Sequence, residues 1–133
     1  MKNFRHKKFV ILLLVAVPLM AFSIVDILDN IGSAIKSGES KQVARFFDNN
    51  VELTILDRES TYSRTQAEMV LRDFFAKNPV QSFDLIHRGT SDEGSAYGIG
   101  KLKTSTQTFR VYYYVKQKGS QSLLQEMRFE KEK

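Results

Sequence analysis

The chain has 133 residues, 42% of them hydrophobic and 26% charged, which fits one globular domain and leaves no room for two. With no cysteine, a disulfide framework, a thiolate zinc site, a cysteine nucleophile and a lipid anchor on cysteine are all excluded. The net charge of +5 points to an acidic partner, but Lys2, Arg5, Lys7 and Lys8 supply four of the 20 basic residues, which leaves 16 against 15 acids in the remainder. The body has no basic stripe, so nucleic acid is not an expected partner.

Residues 1–23 read as a signal peptide. The basic stretch Met1–Lys8 precedes an uncharged, mostly apolar run from Phe9 to Phe22, and Ala21-Phe22-Ser23 places small residues where a signal peptidase reads. The run spans roughly 21 Å at ~1.5 Å per residue, short of a ~30 Å hydrocarbon core, and Pro18 near its end suits a cleaved leader better than a stable helix. The expectation is cleavage after Ser23 and one exported domain, 24–133, periplasmic or secreted. Membrane contact is expected only through the leader, the alternative being an uncleaved anchor.

Beyond the leader, helices come first. Ile24, Ile27, Leu28, Ile31 and Ile35 recur at helical spacing up to Ser37-Gly38. A second, short helix is predicted from about Ser40, with Val43, Phe46 and Phe47 as its apolar face and Asp48-Asn49-Asn50 as its end. Val51, Leu53 and Ile55 then alternate with polar residues as in a half-buried strand, and Asp57-Arg58-Glu59-Ser60 reads as a turn. Ser63 and Gln66 match a capping box, after which Ala67, Val70, Leu71, Phe74 and Phe75 form one helical stripe ended by Asn78-Pro79. Arg64–Glu68 and Glu68–Arg72 are placed as i,i+4 pairs on the wet side.

From residue 81 the period becomes two. Phe83, Leu85 and His87 share one face against Ser82, Asp84 and Arg88, and Ser91–Ser95 turns the chain. A strand follows from Tyr97 to about Thr104, where Gly98 and Gly100 suggest a bulge. Phe109, Val111, Tyr113 and Val115 alternate with Arg110, Tyr112 and Tyr114, and on the last strand Leu123, Met127 and Phe129 line up against Leu124, Glu126 and Arg128. For Val111 and Tyr113 to share a face with Met127 and Phe129, the loop between them needs an odd count, which Gly119-Ser120-Gln121 supplies. The expected class is α+β, with helices on one face of a curved antiparallel sheet.

Several segments resemble one family of exported bacterial proteins, DUF4783. They are Tyr62-Ser63 leading into Gln66-Ala67-Glu68, Asp73 to Pro79, Ser82-Phe83, His87-Arg88-Gly89, Tyr97-Gly98-Ile99-Gly100 and Phe109-Arg110-Val111-Tyr112. The element order is similar to the NTF2-like (cystatin-like cone) fold, α-α-β-β-α-β-β-β-β, with a short strand near Ser60–Ser63. The resemblance covers the chain after the leader and implies fold and compartment; the family has no assigned activity.

Chemical motifs are sparse. The chain after the leader has one histidine, His87, and no paired-histidine metal motif, phosphate loop, dinucleotide fingerprint or Gly-x-Ser-x-Gly elbow, so no metal and no cofactor are expected. His87, sharing a face with Phe83 and Leu85, is predicted to point into the cone. There it is either a structural imidazole bonded to a carbonyl or a tyrosine, or a group that bonds a ligand. By the resemblance, Tyr62, Tyr113 and Phe129 are expected near it. This makes Tyr62, Phe83, His87, Tyr113 and Phe129 a candidate pocket for a small apolar ligand. With Asp84 and Glu126 assigned to solvent, an isomerase-like or dehydratase-like acid–base role would rest on His87 alone, and no catalytic residue is assigned. Arg110, Tyr112 and Tyr114 on the outer sheet face form a candidate interface for a weak homodimer or another partner, the alternative being a solvated face with Arg–Glu pairs.

Overall fold

The computed structural model describes residues 24–91 and 93–133, so the expected leader and its cleavage point lie outside the described residues. The elements are α1 (Ile24–Ser37), α2 (Ser40–Ala44), β1 (Phe47–Ile55), β2 (Arg58–Ser63), α3 (Arg64–Lys77), β3 (Val80–Ser91), β4 (Ser95–Thr104), β5 (Thr108–Lys118) and β6 (Gln121–Lys131). This is the expected α+β order. The strands form one sheet in the order β2-β1-β6-β5-β4-β3, with every neighbour antiparallel except β1 and β6, which run parallel.

The helices cover one face of that sheet. Leu28, Ile31 and Ile35 of α1 and Leu71, Phe74 and Phe75 of α3 meet Phe47, Leu53, Leu102, Phe109, Val111, Tyr113, Met127 and Phe129, and all are buried. Phe74 packs against Phe109 and Phe129 with ring centroids 5.1 and 4.8 Å apart, so the interior beneath α3 is filled by aromatic rings. No described helix is long and apolar enough to cross a membrane.

The capping box forms as expected: Ser63 Oγ accepts from the Gln66 backbone N–H, and Gln66 Oε1 accepts from the Ser63 N–H. Glu68 differs from expectation. It is buried rather than on the wet side, accepting from Ser40 Oγ at 3.0 Å and from Arg72 at 2.8 Å, which together hold its carboxyl below the usual range. Arg64 does not pair with it, donating instead to the Phe47 carbonyl.

Four other local expectations are corrected. The second helix ends at Ala44 rather than at Asp48, because Phe47 is buried as a strand residue opposite Leu124. The turn after Ile55 is Leu56-Asp57, and Arg58 already belongs to β2. The loop between β5 and β6 holds two residues, Gly119-Ser120, so Leu124 rather than Leu123 faces inward, and an extra residue at Gln125, between the pairs Tyr114–Glu126 and Val115–Leu124, restores the expected facing of Met127 and Phe129. Finally, Gly98 and Gly100 do not bulge. They face inward, where a Cβ would come within 2.7 Å of the Tyr113 ring or 2.3 Å of the Phe83 ring.

The irregularity sits opposite them, in β3. Leu85 pairs with Gly100 and His87 with Ile99, so Ile86 is an extra residue and the alternation inverts after it. His87, expected inside, is exposed on the outer face. Arg88, expected outside, reaches Asp29 of α1 through two bonds of 2.6 and 3.0 Å.

Candidate functional site

A cleft of about 730 Å³ lies between α3 and the β1–β2 hairpin, within the roughly 300–1,000 Å³ common for small-molecule sites. Leu53, Phe74 and Phe109 form its floor, with Ile55, Tyr62 and Val70 as partly buried walls. Leu56 from the hairpin tip and Met69 from α3 stand at its mouth, 37% and 58% exposed. Asp57, Arg58, Asp73, Lys77, Asn78 and Gln107 complete the rim. Among these, Lys77 pairs with Asp73 at 3.0 Å, one helical turn apart.

The hairpin tip explains why Leu56 is there. A two-residue turn joining twisted strands favours φ > 0 at its first position, and Leu56 adopts φ 57, a region that L-residues enter only with strain. Its backbone N–H donates to the Phe129 carbonyl at 2.9 Å, fixing the tip to β6. On β2 the pairs Val51–Tyr62, Leu53–Ser60 and Ile55–Arg58 put Tyr62 and Arg58 on the same, inward side of the sheet.

The five expected pocket residues do not converge. Only Tyr62 lines the cleft. Tyr113 is fully buried, and its hydroxyl donates to the Leu28 carbonyl at 2.7 Å; burial pushes the phenol above its ordinary range. Phe129 is fully buried between Phe74 and Phe75. Phe83 packs near Tyr113, ring centroids 6.4 Å apart, beside a shallow depression that ends at Arg88. His87 is on the opposite face of the sheet, next to Ile99 and Lys101. The interior-facing histidine on which an acid–base reading depended is therefore absent from this arrangement. The cleft is built mainly from Leu53–Arg58 and Met69–Asn78, which sequence reasoning did not single out; the alternation Arg58, Ser60, Tyr62 was the available signal.

The interface candidates do share the outer face. Tyr112 lies between Tyr97, with ring centroids 6.1 Å apart, and the Arg128 guanidinium, 5.4 Å from its ring centre. Arg128 is held by Glu126 at 2.6 Å. Burial and the Glu126 charge raise the Tyr112 phenol. Arg110 pairs across strands with Lys101 and Glu130, and Tyr114 with Tyr97 and Glu126. Ile86 and Tyr97, 54% and 39% exposed, stand on this face. On its β1–β2 side, Glu52 sits beside Glu59 and opposite Glu126; the Glu59 carboxyl, burial and the Glu126 charge raise its carboxyl above the ordinary value.

Comparison with known proteins decides the family. The family described as "Domain of unknown function (DUF4783)" matches residues 28–130. The chain belongs to DUF4783. A DUF4783 family protein from Bacteroides ovatus superposes with a TM-score of 0.75 at 30% identity, covering 78% of this chain and 94% of that one. A second, from Bacteroides uniformis, gives 0.75 at 27% identity, covering 79% and 96%. An NTF2-like protein of unknown function from Cytophaga hutchinsonii gives 0.59 at 6% identity, covering 82% and 89%, which supports the fold alone. No curated protein matches the chain.

Proposed function

We propose that the protein is an exported binding module that holds a small, largely apolar ligand in the cleft between α3 and the β1–β2 hairpin. One observation carries the reading: Leu56 and Met69, two of the four large hydrophobic side chains exposed among the described residues, both stand at the mouth of one apolar-floored cleft. Leu56 does so in a backbone conformation that is strained for leucine, and such outliers gather at ligand clamps. Nile red, a neutral apolar dye, tests this. Its fluorescence should rise on wild type and fall back with Leu56→Asn and Met69→Lys, both at exposed positions. A dye response equal in all three proteins overturns the reading.

Export rests on the sequence of residues 1–23. An intact mass that begins at Ile24 supports it, and a membrane-retained product that keeps the segment defeats it.

The other two exposed hydrophobics, Ile86 and Tyr97, favour a second use of the molecule, weak self-association through the outer face. That face carries Tyr97, Tyr112, Tyr114 and Arg110, with Glu52, Glu59 and Glu126 toward β1 and β2 and Lys101 and Lys103 on β4. Two copies packed face to face about a twofold axis would set acidic against basic edges. Sedimentation at high concentration should show a dimer that Tyr112→Glu removes; a monomeric wild type refutes it.

A further inference from the structure

Resting on the cleft reading above, we infer that the ligand is an amphiphile with a terminal monocarboxylate. Its head binds the Arg58 guanidinium, and its apolar body runs along Leu53, Tyr62 and Phe74.

Strand geometry selects Arg58. Of the four charged residues on the rim, Asp73 and Lys77 neutralise each other at 3.0 Å on the exposed side of α3. Asp57 is in the turn. Arg58 is the charged residue that strand alternation places on the inward side of the sheet, in line with Ser60 and Tyr62. Its guanidinium takes part in none of the hydrogen bonds or ion pairs formed among the described residues. It thus stands as an unpaired, planar, always-charged fork at the edge of an apolar floor, a geometry that matches a carboxylate through two parallel N–H···O bonds.

The size and charge of the site narrow the class. From Arg58 to Tyr62 is four residues of strand, about 14 Å at ~3.4 Å per residue, so a head on Arg58 leaves room for an extended body of that length before the Tyr62 ring. Met69, unbranched and polarizable, and Leu56 can close over such a body whatever its detailed shape. The rim carries Asp57 and Asp73 against Arg58 and Lys77, a balance of zero. A monoanion is accommodated by Arg58, whose guanidinium is unpaired among the described residues, whereas a phosphate monoester adds a second negative charge near two carboxylates.

Calorimetric titration of the purified protein with decanoate, decanol and decyl phosphate, each below its micelle concentration, separates the possibilities. Wild type should bind decanoate about tenfold more tightly than decanol, the size of effect expected from one charge-assisted bond. Arg58→Leu should erase that preference, and Arg58→Lys should restore part of it. Equal binding of decanoate and decanol by wild type overturns the carboxylate assignment and leaves the cleft reading standing. Tighter binding of decyl phosphate than of decanoate overturns the monoanion assignment. No binding of decanoate or decanol overturns the cleft reading itself.

Discussion

Asp48 offers a quantitative test of how the start of β1 is held. It is buried, and Lys118 Nζ and Gln125 Nε2 donate to its Oδ2 at 2.5 and 3.0 Å while the Asn49 N–H donates to Oδ1 at 2.7 Å. These donors, the Lys118 bond first, lower its pKa from 3.8 to about 2. At about 1.4 kcal/mol per unit, that difference sets a ceiling of roughly 2.5 kcal/mol. The Lys118 side chain is 53% exposed and water screens it, so about 1–2 kcal/mol is the expected loss for Asp48→Asn at pH 7. The sign follows from the depressed value. The stabilisation is complete well above 3.8 and is lost as pH falls through about 2. About half of it remains at pH 3. Urea unfolding of both proteins at pH 7, 4 and 3 should therefore show a gap that narrows by about half at the lowest pH. A gap that is constant across this range, or absent at pH 7, refutes the assignment of the shift to these donors.

Three further outcomes are expected. Gly100→Ala should destabilise by roughly 1–3 kcal/mol in denaturant melts, because its Cβ would meet the Phe83 ring at 2.3 Å and the Asp84 carbonyl at 2.7 Å. Glu52→Gln should raise the unfolding midpoint at pH 7.5 by about 0.2–1 kcal/mol, since a carboxyl whose folded pKa is raised by Glu59 and Glu126 loses stability as pH rises above 4.5; thermal melts at pH 4.5 should show most of the gain gone. His87→Ala should leave the urea midpoint within about 0.5 kcal/mol of wild type, as befits an exposed side chain beyond the β3 irregularity; a larger loss would return His87 to the interior.

The legible parts of the fold were those fixed by local chemistry. The box of Ser63 and Gln66 and the stripe from Ala67 to Phe75 specify α3 within one helix, with no help from distant residues. Facing along β5 was equally plain, since Phe109, Val111, Tyr113 and Val115 alternate without interruption. What failed depended on single inserted residues. Ile86 and Gln125 are ordinary strand formers in composition, and only their partners show that they are extra. One inverted the side taken by His87 and Arg88, and with it the candidate pocket. The cleft was illegible for a different reason. Its walls come from the β1–β2 hairpin, α3 and the start of β5, brought together by a parallel β1–β6 pairing that no periodicity announces. Tyr62 was reached through the family resemblance alone.

That parallel pairing has a kinetic consequence. β6 is the last strand in chain order, yet it lies in the middle of the sheet, between β1 and β5. Until it arrives, the chain holds two separate ladders, β2–β1 and β5–β4–β3, each with a naked inner edge of unpaired amides and carbonyls. The β1–β6 contacts join residues such as Leu53 and Met127 across most of the domain, and loops of that length close slowly. A chain emerging from its N-terminal end therefore stays open, and threadable, until its final strand is delivered.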